Sequence, residues 1–189
     1  MSYHHGNLKE SLIQAGNESL KTFGPGDFSL REVAKRAGVS HNAPYRHFRD
    51  KSDLIEKILE RTLTEMADQI LSAPLLYPAS KVLQIQFVGR LWMHLATQHP
   101  HKASLLFGRR YISGSKNQGA LSATHQLITE RLATLLDNRL DLATILIATF
   151  RGLGLMHISE SYPSTVANPD DLIALCDLAI ENILLPYDL

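Results

Sequence analysis

Apolar residues recur at intervals of three and four along almost the whole chain, which is the period of an α-helix and not of a strand. Runs of β-branched residues are short, and no Asn-Gly or Asp-Gly pair is present to close a two-residue hairpin. The expected fold class is all-α, with about nine helices. With 189 residues, 44% of them hydrophobic, the chain can make one medium domain, or a small module fused to a larger one, around a substantial core. Nowhere do eighteen apolar residues run uninterrupted, and the first twenty are polar and charged. Neither a membrane span nor a signal peptide is expected, and the chain reads as cytoplasmic. Cys176, the single cysteine, has no intrachain disulfide partner and falls in an apolar helical pattern where a small buried side chain is ordinary.

The helical pattern is punctuated. Asn7 to about Phe23 reads as a first helix with Leu8, Leu12, Ile13, Leu20 and Phe23 on one broad side, stopping at Gly24-Pro25-Gly26. Gly16 inside it costs roughly 1 kcal/mol against alanine, so a close neighbour is one reason for it and simple tolerance another. Ser29 to Ala37 has the sharpest local grammar. Ser29 and Glu32 have the spacing of a capping box, and Leu30, Val33, Ala34 and Ala37 form one apolar face. Gly38 suits the left-handed end of that helix, Val39 plugs the angle, and Ser40 is placed to cap a next helix, which makes a helix, a three-residue turn and a helix. Pro44 is out of place four positions after Ser40, because proline belongs in a first turn; a loose first turn and a later cap at Asn42 are both compatible with it. Asp50 reads as another N-cap, with Asp53 at the third position, for a long helix carrying Leu54, Ile55, Ile58, Leu59, Met66, Ala67 and Ile70, with Pro74 and Pro78 at its end. From about residue 79, four to six further helices are separated at His99-Pro100, at the polar segment 113–119, near Asp137-Asn138 and at Pro163 to Pro169.

Nineteen basic residues balance nineteen acidic ones, but not evenly. Between 31 and 51 stand Arg31, Lys35, Arg36, Arg46, Arg49 and Lys51 against only Glu32 and Asp50. A compact basic segment on an otherwise acidic body is the distribution expected when one small module faces phosphate. Taken singly, Arg31, Lys35, Arg36 and Arg49 read as readily as a solvated face; their clustering carries the electrostatic reading.

The stretch SLREVAKRAGVSHNAPYRHFRDKSDL, Ser29 to Leu54, resembles the DNA-binding domain of the TetR family of bacterial regulators. YHHGNLKESLI, Tyr3 to Ile13, is similar to the arm and first helix of one of its subgroups. The resemblance spans roughly residues 3–60. TQHPHKASLLFG, Thr97 to Gly108, is similar to an HP-then-LFG pattern in the ligand domains of some members. Those members often carry a Trp and a His-Gly pair in the penultimate long helix, where this chain has TFRGLGLMH at Thr149 to His157. The resemblance implies a three-helix helix-turn-helix domain over residues 1–51, a connecting helix over 51–72, and a helical ligand-binding and dimerisation domain over 73–189. It places DNA contacts at Ser29, Arg31, Ser40, His41, Asn42, Ala43, Tyr45, Arg46, His47 and Lys51. Chemically, Asn42 can pair bidentately with adenine, His41 can donate to guanine N7 and Ala43 can pack on a thymine methyl. By the likeness Tyr45 and His47 reach phosphates, and Lys51 adds a charge at a positive helix end. Phe48 reads as core. His4 and His5 suit a metal or a tag remnant, but also match the family-like arm, for which a minor-groove or phosphate contact is open.

In the larger domain Phe87, Trp92, Met93, Phe107, Tyr111, Phe150 and Met156 stand at helical spacing and read most simply as core. The resemblance implies a cavity for a small, largely apolar ligand, for which Trp92, Met93, Phe107, Tyr111, Phe150, Arg151 and Met156 are candidates, with Arg90, His94 and His157 as further polar groups. The helices at about 140–160 and 169–185 resemble the pair that forms a four-helix dimer interface in the family, with Gly152 and Gly154 allowing close approach and Leu172, Leu175, Ile180, Ile183 and Leu184 supplying apolar area. The implied partners are an operator duplex, an unidentified small ligand and a second copy of the chain, without a membrane and without a cofactor. An enzyme is the rival class, but HExxH, GxSxG, GxxxxGK and paired-cysteine metal spacings are all missing. His94, His99 and His101 are not spaced as helical i, i+4 ligands. A helical interaction protein that does not bind DNA is the third reading.

Overall fold

The computed structural model describes residues 8–108, 118–161 and 168–187, with the side chains of 118–122 outside the description. The arm with His4 and His5, most of the 113–119 segment, Tyr111 and most of the break from Pro163 lie outside the described residues. Eight α-helices and a short 3-10 turn, with no strand, make up the described residues: α1 (Leu8–Asp27), α2 (Leu30–Arg36), the 3-10 turn (Pro44–Arg46), α3 (Lys51–Leu76), α4 (Lys81–Gln98), α5 (Pro100–Phe107), α6 (Gln118–Leu135), α7 (Leu140–Ile158) and α8 (Pro169–Leu184). The chain divides into two units, Met1–Thr62 and Leu63–Leu189, the boundary falling inside α3.

In the N-terminal unit, α1 is interrupted at Gly24, whose φ of 67° and ψ of 179° only glycine adopts readily, just before the Pro25 that cannot continue a helical ladder. A Cβ on Gly16 would stand 3.0 Å from Ile58 Cδ1 and 3.2 Å from Leu54 Cδ2, so the glycine makes room for the apolar stripe of α3. Arg61 of α3 pairs with Glu10 of α1. Ser29 caps α2, its hydroxyl accepting from the Glu32 N–H at 3.2 Å. The helix closes on Gly38 at φ 68°, with Gly38 N–H donating to Lys35 O and Val39 N–H to Ala34 O, the two bonds of a Schellman motif.

The next element differs from the sequence expectation. No regular helix follows Ser40, and neither Ser40 nor Asn42 caps one: the 3-10 turn begins from Ala43 without a side-chain cap. Pro44 is the reason. It has no N–H to donate to the Ser40 carbonyl, which accepts from Ala43 N–H at 2.9 Å instead, and the i→i−3 pattern continues through Arg46 N–H to Ala43 O and His47 N–H to Pro44 O. Asp50 does cap α3, accepting from Asp53 N–H at 2.9 Å, while the Asp53 carboxylate accepts from Arg49 N–H at 3.0 Å. Burial alone would raise the Asp53 pKa, but the Arg49 N–H and guanidinium outweigh it and hold it below the usual carboxylate range. Asp50→Ala is expected to cost about 1 kcal/mol, read as a lower urea midpoint with an unchanged slope.

In the C-terminal unit α4 packs against α5, α7 and α8, and α7 also against α5, α6 and α8. By length and composition α7 would suffice to cross a membrane, but Leu142, Ala143, Leu146, Ile147 and Phe150 are buried within the unit. The α4–α8 seam closes where Gly89 lies under Cys176, Ile180 and Phe150, flanked by Arg90–Asp177 at 2.7 Å and Gln86–Glu181 at 3.2 Å. The Asp137-Asn138 break takes positive φ at both residues. Met156 departs from its core assignment, being 40% exposed. Leu172, Ile180 and Leu184 face the chain's own core and not outward. Gly154 likewise packs inward, its missing Cβ leaving room for the Phe107 ring, whereas a Cβ on Gly152 would meet nothing within 4 Å among the described residues.

Candidate nucleic-acid interface

The short turn that Pro44 enforces decides which side chains reach solvent. Pro44 and Phe48 turn inward and are buried, which pins both ends of the segment to the core of the N-terminal unit. Ser40, His41, Asn42, Tyr45, Arg46 and His47 are left on the surface. Tyr45 is 54% exposed, an unusual position for a large ring unless its hydroxyl or face has an external partner. Ala43 is only 8% exposed, so its methyl is spent on the core and is not available to a thymine.

The cations around this turn fall into two sets. Arg49 is tied to Asp53 at 3.5 Å, Arg36 lies 5.8 Å over the Phe23 ring, and the Lys51 ammonium donates to the Pro25 carbonyl at 3.4 Å. Arg31, Lys35 and Arg46 are exposed and make no ion pair among the described residues. Ser29, exposed at the start of α2, already has its hydroxyl on the Glu32 N–H and keeps lone-pair and donor capacity to spare. Exposed cations and hydrogen-bonding side chains thus lie on both sides of one tight turn, with positive charge that no described carboxylate neutralises.

Of the ligand candidates in the other unit, Trp92, Met93, Phe107 and Phe150 are all at most 3% exposed. Trp92 and Phe107 stack with ring centroids 5.2 Å apart, and the Arg151 guanidinium donates to the Phe107 carbonyl at 2.8 Å. Met156 does not join them on the buried side. His125 does, edge-on to Trp92 at 6.1 Å, although nothing in the sequence near Trp92 announces it. The signal was its spacing: three and seven residues before Ile128 and Leu132, both buried, it stands on the inward stripe of α6. Arg90 is committed to Asp177, and His94 is exposed. Among the described residues no group of three or more His, Cys, Asp or Glu side chains is placed to hold a metal.

Residues 12–58 match the family model described as bacterial regulatory proteins, tetR family. The transcriptional regulator BetI of Escherichia coli is 31% identical over 64 residues, 34% of this chain, and the match spans about a third of that relative's length (33%). Solved structures align over far more of the chain. A transcriptional regulator from Rhodococcus sp. covers 96% of this chain and 98% of its own at 23% identity with a TM-score of 0.77. A TetR-family regulator from Streptomyces coelicolor covers 96% and 90% at 15% identity with a TM-score of 0.75. The regulator FadR of Bacillus subtilis, solved with stearoyl-CoA, covers 92% and 96% at 14% identity with a TM-score of 0.70. Residues 12–58 thus match the tetR-family model, and over nearly its whole length the chain has the all-helical fold of these solved structures.

Proposed function

We propose that the protein is a sequence-specific DNA-binding transcriptional regulator and not an enzyme: a repressor that binds a near-palindromic operator as a homodimer, acts in the cytoplasm and is released by a small apolar ligand. The observation that carries the reading is the exposed set of His41, Asn42, Tyr45, Arg46 and His47 beside the exposed cations Arg31, Lys35 and Arg46, which make no ion pair among the described residues. Asn42 and His41 have the donors and acceptors to read base edges, while Tyr45, His47, Ser29, Ser40 and the cations fix register on phosphates. Lys51 adds to them by leaving its long bond to the Pro25 carbonyl. Ala43 is withdrawn from the base-reading set because it is buried.

For the dimer, Ile145, Leu155 and Met156 of α7 and Leu178 of α8 supply exposed apolar area, each at least 37% exposed, in place of Leu172, Ile180 and Leu184. A twofold pair would present its two DNA-reading turns about one helical turn, roughly 34 Å, apart. A ligand that binds better to the form unable to span that distance lowers operator affinity by its difference in affinity for the two forms.

The test is in vitro selection of duplex DNA by the purified protein, followed by binding of the winner to wild type and to Tyr45→Phe with Lys51→Ala. A recovered palindrome bound roughly tenfold or more weakly by the double variant is the expected result. Failure to enrich any sequence at low salt would leave a helical interaction protein and reject the regulator.

A further inference from the structure

Around Phe107 the C-terminal unit gathers three nitrogen-bearing side chains whose hydrogen-bonding capacity the other described residues do not use up. Trp92 is 1% exposed, yet among the described residues its indole Nε1 has no hydrogen-bond partner. His125 Nε2 is likewise buried without one among them. Arg151 is half-buried and spends one N–H on the Phe107 carbonyl at 2.8 Å; among the described residues no carboxylate pairs with it. Phe107 joins the three, stacked on Trp92 and seated over Gly154, where a Cβ would come within 2.5 Å of its ring. Orphaned buried donors are uncommon in native proteins, and a partly desolvated guanidinium with no counter-charge is more costly still.

We propose that this cluster is the ligand site and that it takes an apolar carboxylic acid in its anionic form. A guanidinium stays charged at any pH the protein meets, so the missing partner is an anion. A carboxylate offers lone pairs enough to accept from the free N–H groups of Arg151 and from the Trp92 indole together. Phosphate fits less well, because one guanidinium meets only part of its charge. An amine is repelled. Phe107, at the centre of the cluster, is apolar and buried, which calls for an apolar body behind the carboxylate. Burial, and then the Arg151 charge, holds the His125 pKa below its ordinary value, which favours the neutral imidazole and leaves Arg151 as the cation of the cluster. The assignment deepens the regulator reading and rests on it for its regulatory meaning, though not for the binding itself.

Trp92 is the only tryptophan, so intrinsic fluorescence of the DNA-free protein reports on the site directly. Phenylacetate, octanoate and cyclohexanecarboxylate would each be titrated beside the corresponding primary amide, which keeps the shape and removes the charge. At least one acid is expected to shift Trp92 emission with tenfold or greater preference over its amide. Arg151→Gln should abolish the preference, while Arg90→Gln, which breaks a pair at the α4–α8 seam, should keep it. Equal binding of acids and amides by wild type overturns the anion assignment while leaving ligand binding intact, and needs no variant to fold. Emission unmoved by every probe overturns the site itself. Failure to select an operator would reject the regulator without touching either result.

Discussion

Raising the salt from about 50 to about 200 mM should weaken duplex binding by roughly 10⁴-fold. The chain has no net charge, so its overall field neither attracts nor repels DNA, and the binding must come from a local cluster. Among the described residues Arg31, Lys35 and Arg46 are exposed without ion pairs, and Lys51 donates to a carbonyl at 3.4 Å. Four such cations in each half of a dimer give about eight phosphate contacts and a log–log salt slope of about −7. Arg31→Ala with Arg46→Ala removes half of them and should roughly halve the slope, weakening all sequences alike, because phosphate contacts carry no base information. Arg36→Ala should change the slope little, since that guanidinium lies over the Phe23 ring. Fluorescence anisotropy of a labelled duplex across a sodium chloride series measures all three. A shallow wild-type slope would favour the protein-partner reading and would not depend on having found the correct operator, because non-specific DNA shows the same dependence.

The sequence was most informative where a local rule acts alone. Ser29, Gly38, Asp50 and Asp53 do what their types and spacing imply, because capping and the left-handed turn are decided within a few residues. Pro44 was visibly at odds with a helix opened at Ser40. What could not be read was the outcome, a 3-10 turn that buries Ala43 and leaves Tyr45 outside, because that depends on how Pro44 and Phe48 pack on the unit's core. Long-range contacts were opaque for the same reason. The stripe on α8 was plain, but whether Leu172 and Ile180 face the chain's own core or a second copy is set by α4, about ninety residues away in sequence. His125 joined Trp92 only once the helices were packed. Polar residues on an inward stripe announce that they are buried; they do not announce their neighbours.

Gly89→Val should destabilise the C-terminal unit by about 3 kcal/mol, at the upper end of the usual overpacking cost. Helix propensity pulls slightly the other way, since glycine is the poorer helix former, so the sign is decided by space. A Cβ at Gly89 lands 2.8 Å from Cys176 Sγ, 3.0 Å from Ile180 Cδ1 and 3.1 Å from Phe150 Cε1. These belong to α8 and α7, all three residues are 0% exposed, and none can withdraw without displacing the next. Cys176 supplies the readout as the only thiol: burial pushes it up to about 12, Asp177 adding to the effect and Arg90 opposing it, so at pH 8 it reacts only when the seam opens. When closing is fast compared with the reaction, alkylation follows the open population, and 3 kcal/mol corresponds to about a hundredfold faster modification. Gly152→Val is the matched control, because a Cβ there meets nothing within 4 Å. Its alkylation rate should stay within a few-fold of wild type. Since a Cβ at Gly152 meets nothing within 4 Å among the described residues, a large effect there would point to a second copy packed on α7. Measuring the rate at two protein concentrations separates the cases: the Gly89 effect persists on dilution, and a Gly152 effect exerted through the dimer does not.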